Sequence, residues 1–141
     1  MKQPKSILII KELIQGLKEI RSKNKHYTNA GINVFFNKRW IDCRIDDEHP
    51  FLSLFISEEN LIERKGNSCK YELAAHIEGY QFNRKDNDIY YLLADVKHVL
   101  LKNWDSFSLL YQGHELTIPE EGASITSVQI KFKIIYMENI S

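Results

Sequence analysis

The sequence predicts an α+β fold: a two-layer sandwich in which a mostly antiparallel mixed sheet carries two helices packed on one face. Three observations predict it. Segments 4–22 and 88–103 repeat apolar residues at three-and-four spacing, the pattern of a helix with one buried face. Segments 51–57, 70–80 and 126–137 alternate with period 2, as half-buried strands do. Two amphipathic helices can cover only one face of such a sheet, and the polar alternate positions suit a second face left largely open. The 141 residues, 1–141, are read as one domain.

In the first helix, Ile7, Ile10, Leu13, Ile14, Leu17 and Ile20 form the expected core face, and Pro4 suits a first turn. Asn29-Ala30-Gly31 signals a turn, INVFF (32–36) a strand, and Asn37-Lys38-Arg39 a turn. WIDCRID (40–46) alternates as a second strand. Pro50 opens the next, where a missing N–H does least harm. There Leu52, Leu54 and Ile56 point to the core, and Phe51 and Phe55 to a face that another element partly covers. The charged stretch 57–68 separates it from KYELAAHIEGY (70–80), with Tyr71, Leu73, Ala75 and Ile77 inward. After a polar loop at 83–87, Asp86 or Asp88 caps a helix whose face is Ile89, Leu92, Leu93, Val96, Val99 and Leu100. Residues 108–122 read as two short strands or a broken hairpin, with Gly113 at the turn and Pro119 closing it. In the last strand Val128, Ile130, Phe132, Ile134 and Tyr136 point inward, and Gln129, Lys131 and Lys133 outward.

Nineteen basic and nineteen acidic residues balance, which argues against a protein that lives on nucleic acid, where a basic excess is usual. The basic-then-apolar start is too short in its apolar run, Ile7–Ile10, for a secretory signal. No stretch approaches the roughly 18 apolar residues of a membrane span. A membrane-surface helix at 4–22 is weakened by the acids on its polar face. Cys43 and Cys69 lack CxxC spacing and read as reduced, buried thiols of a cytoplasmic protein.

The search for chemistry finds little specificity. Asp46, Asp47 and Glu48 are consecutive, and neighbours on an extended chain point apart, so they read as a solvated approach to a strand rather than a metal cage. His26, His49, His76, His98 and His114 show no HxxxH spacing and read as surface histidines. No GxSxG, GxGxxG or phosphate-cradling loop occurs. A cysteine–histidine nucleophile is a guess that any such composition permits. No catalytic residue, cofactor or metal is assigned. Charge, however, is segregated. Residues 1–26 carry seven basic and two acidic residues, while 42–63 carry seven acids and only Arg44. Either both segments are simply solvated, or the basic side of one subunit stacks on the acidic side of the next.

Five segments, with the chain length, carry a family resemblance: the opening helix ILIIKELIQGLKEI, the proline-led HPFLSLFISEE, the pair KYELAAHIEGY and DIYYLLADVKHVLLKNW, and the closing PEEGASITSVQIKFKIIYM. Over nearly the whole chain the pattern resembles the tail terminator and tail-completion proteins of long-tailed bacteriophages, the minor tail protein U group. The resemblance implies a structural protein, made in the host cytoplasm and residing in the virion tail. It would form a ring, typically a hexamer, that caps the tail tube, ends tube polymerisation and presents a surface to the head. The implied partners are further copies of itself, the tail tube protein and the head–tail connector, with no nucleic-acid specificity and no membrane. The expected contact residues are Arg44, Asp46, Asp47, Glu48, Phe51, Phe55, Lys131 and Lys133. A neck or head–tail connector protein shares size and ring habit. A small cytosolic ligand-binding domain or enzyme is the alternative of another class.

Overall fold

The computed structural model describes residues 3–39, 48–82, 88–117 and 125–140. Helix α1 spans Lys5–Lys18, strand β1 Val34–Phe36, β2 Phe51–Lys65, β3 Ser68–Phe82, helix α2 Asp88–Leu100, β4 Ser108–Thr117 and β5 Ile125–Asn139. The five strands form one open sheet in the order β1-β2-β3-β5-β4. Only β1 and β2 run parallel; the other three pairings are antiparallel. This is the α+β arrangement expected, a mixed sheet with both helices on one face. The expected strand 40–46, the loop 83–87 and Pro119 lie outside the described residues.

The β3–β5 ladder is the spine, running in unbroken register from Ser68↔Asn139 to Phe82↔Ile125. Alternation places Leu73, Ala75 and Ile77 of β3 and Ile130, Phe132 and Ile134 of β5 on the inner face, all buried. Leu52 and Leu54 of β2 extend that face. Against it pack Leu92, Val96, Val99 and Leu100 of α2, and Ile9, Leu13 and Leu17 of α1. Burying such side chains contributes roughly 1.5–3 kcal/mol each before chain entropy is charged against it.

Three expectations change. First, α1 is rotated from the face read in the sequence. Ile9 and Gly16 join Leu13 and Leu17 inside, Ile10 and Ile14 are half-buried, and Ile7 is exposed. Apolar residues occupy more than one side of this helix, so spacing alone did not decide which side faces the sheet. Second, the charged stretch 57–68, read only as separating two strands, is mostly strand itself. β2 continues to Lys65, and the two-residue turn Gly66-Asn67 leads into β3, with Lys65 opposite Ser68. Residues 57–65 are exposed on both faces, which erases the alternation that marks a half-buried strand. Third, Gly113 is not a hairpin turn but sits at a bulge inside the single strand β4, at φ 133°, a conformation glycine adopts freely.

Two contacts tie the outlying parts to the core. The Tyr136 hydroxyl of β5 donates to the Glu59 carboxylate of β2 across the intervening strand, anchoring the second half of β2. The Gly31 N–H donates to the Ile20 carbonyl at 2.8 Å, so the chain after α1 folds back against its end.

Gly31→Ala should destabilise the fold by ~1–3 kcal/mol in denaturant unfolding, because a Cβ there would stand 2.2 Å from the Lys18 carbonyl oxygen. Burial first, and then the Glu59 carboxylate, push the Tyr136 phenol well above the usual tyrosine range. The folded state thus favours the protonated phenol, so this contribution is complete below the unfolded value of about 10 and is lost as pH rises beyond it. Urea unfolding across that range should show wild-type stability falling more steeply than that of Tyr136→Phe.

Candidate interaction surface

The sheet face opposite the helices divides in two. Near the start of β2 it is covered. Phe51 is fully buried, stacked on Phe35 of β1 at 5.2 Å and against Tyr80 of β3 at 5.9 Å. Ser53 is equally buried, and its Oγ accepts the Lys38 N–H at 3.3 Å. Lys38, just after β1, therefore lies against this face. Phe51, expected to meet a neighbouring subunit, meets its own chain instead: its covering ring comes from β1, whose parallel pairing with β2 was not read from the sequence.

Further along, the face is open. Phe55, His76 and Lys131 stand side by side on β2, β3 and β5, and Glu58, Ala74 and Lys133 form the next row. The Phe55 ring stacks on the His76 imidazole at 4.9 Å and 12°. Glu78 lies 3.6 Å from His76 Nε2, and Lys133 Nζ bonds Glu72 at 3.0 Å. Lys131 is exposed. Phe55, Lys131 and Lys133 thus share one surface, a cationic and aromatic patch with acids at its border. Burial, with Glu78 adding to it, holds the Tyr80 phenol above its ordinary value.

The other expected contacts do not join this patch. Glu48 is exposed and lines a separate depression of about 240 Å³ with Tyr27, His49, Asp88 and Tyr91. Arg44, Asp46 and Asp47 lie outside the described residues, as does Cys43; Cys69 is a buried free thiol. A second surface feature follows from the rotation of α1. Ile7, Ile10 and Ile14, with Phe36 at the end of β1, line an apolar cleft of about 560 Å³ bordered by Lys11 and Lys18.

The strongest polar cluster was missed in the sequence. Asp95 of α2 is 2% exposed. Its Oδ1 accepts the Tyr27 N–H at 3.0 Å, and its Oδ2 accepts both the Thr28 N–H and the Thr28 hydroxyl at 2.8 Å. His26 Nδ1 lies 3.3 Å from Oδ1, and its ring meets His98 edge-on. Sequence reading placed His26 on the surface; its side chain is 12% exposed and packed against this carboxylate. The available signal was an acid three residues after Leu92 and four before Val99, within an apolar stripe.

Among the described residues no group of three or more His, Cys, Asp or Glu side chains is placed to hold a metal ion, and no helix is long and apolar enough to cross a membrane. No protein-family model matches the chain, and no curated protein matches it.

Removing the buried Asp95 carboxylate takes the acceptor from two part-buried N–H groups and a hydroxyl. Asp95→Ala should therefore lose ~3 kcal/mol of unfolding free energy, read by chemical denaturation.

Proposed function

We propose that this chain is a tail-terminator-like assembly protein of a long-tailed phage or prophage, a ring subunit that caps the tail tube, ends its growth and offers the head its joining surface. In this reading it works by docking and performs no turnover. The observation that carries the reading is the uncovered half of the sheet face, where Phe55, His76, Lys131 and Lys133 are presented on three adjacent strands. A rigid ladder holds these side chains in fixed rows, as a surface that must match a repeating partner requires. The segments behind the family resemblance support it too: they fall on α1, β2, β3, α2 and β5, which build the core and this face. Charge segregation between the first 26 residues and the acidic region 42–63 suits head-to-tail neighbours around a ring.

The test is capping. Purified tail tubes incubated with the labelled full-length chain should carry label at one end only in electron micrographs, and tube elongation should stop. Lys131→Glu with Lys133→Glu should weaken that binding about tenfold while the thermal unfolding curve stays in place. Failure to bind tubes, with binding to portal complexes instead, would assign the chain to the neck.

A further inference from the structure

Among the described residues, β1 pairs with β2 only at Leu52–Leu54, so the edge of β2 from Glu58 to Lys65 has no partner strand. This edge reads EENLIERK. Its charges run in mirrored order: Glu58 and Glu59 at one end, Arg64 and Lys65 at the other, Leu61-Ile62 between. Laid antiparallel on a second copy of itself, it brings Glu58 opposite Lys65, Glu59 opposite Arg64, Asn60 opposite Glu63 and Leu61 opposite Ile62, each twice.

Directly opposed residues of an antiparallel pair must face the same side of the sheet. In an unbroken strand residues 58 and 65 would face opposite sides, and this register would fail. β2 is not unbroken: its register on β3 shifts by one extra residue between Leu61 and Glu63. The pairing with β3 shows the result. Glu58, Asn60, Glu63 and Lys65 lie across from Ala74, Glu72, Lys70 and Ser68 on the open face. Glu59, Leu61 and Arg64 lie across from Leu73, Tyr71 and Cys69 on the helix face. The bulge therefore puts Glu58 with Lys65, Asn60 with Glu63, and Glu59 with Arg64 on matching sides. At the centre, Leu61 and Ile62 are 54% and 45% exposed, an apolar pair in an otherwise polar stretch.

We propose that this edge is a self-pairing surface, joining two copies of the chain in an antiparallel, two-fold dimer with one sheet continuous through both. Charge complementarity names the occupant as a second copy. Charges that merely protect an edge need no order; these are ordered so that every oppositely signed pair falls in one register. The exposed Lys65–Glu63 contact within the strand, at 3.1 Å, is weak enough to yield to Glu58 of the second copy. An isologous contact closes on itself, so the dimer stands independently of any ring or tail.

Sedimentation velocity of the full-length chain over a concentration series tests this. The wild type should pass from monomer to dimer. Glu58→Lys and Lys65→Glu each set like charges opposite one another twice, and each should weaken association about tenfold or more. The double variant should restore it. An equimolar mixture of the two single variants should also associate, since every rung of the mixed dimer again joins opposite signs. Both positions are exposed, so circular dichroism melting should be unchanged at a concentration where the wild type is monomeric. A wild type that stays monomeric overturns the proposal. So does association that the single reversals leave unmoved, or a mixture no stronger than its separate components.

Discussion

The structure depends on the β3–β5 ladder having one dry face. Fifteen consecutive pairings hold the two strands in a single register, and a slip of one residue would turn either Leu73 and Ile77 or Ile130 and Phe132 to the wet side. Both helices pack on that face, β2 and β4 are added at its flanks, and the open face is its reverse. Whatever this protein docks against reads positions that the ladder has already set.

Secondary to this constraint is the way the chain manages its edges. At one side β1 pairs with three residues of β2, its Phe35 ring covers Phe51, and Lys38 just beyond it reaches Ser53. Beyond that point β2 is the solvated outer strand, tied across β3 to β5 by Glu59 and Tyr136. At the other side β4 follows β5 around a bulge at Gly113, with alternate side chains half-buried. The same sheet is thus a core element at its centre and a surface element at its margins.

This division explains what could be read in the sequence. The inward faces of α2 and β5 were legible because each buries one clean stripe, and the shared face of Phe55, Lys131 and Lys133 followed from alternation alone. The second half of β2 was not legible, since a strand wet on both sides leaves no periodic signal. The side of α1 that faces the sheet was ambiguous because Ile7, Ile9, Ile10, Leu13 and Ile14 span too much of its circumference. Phe51 was misplaced because its covering ring, Phe35, arrives through a parallel pairing that no local pattern encodes. Asp95 was overlooked because its partners, residues 26–28, lie nearly seventy positions away.

That distance has a consequence for how the domain holds together. The anion in α2 has its hydration replaced by backbone donors from the segment that follows α1. Opening either segment alone would break all of these bonds at once. The amino-terminal quarter and α2 are therefore obliged to order as one cooperative unit. A fragment beginning after residue 30 would lose every one of these donors, along with the cover that α1 gives the sheet.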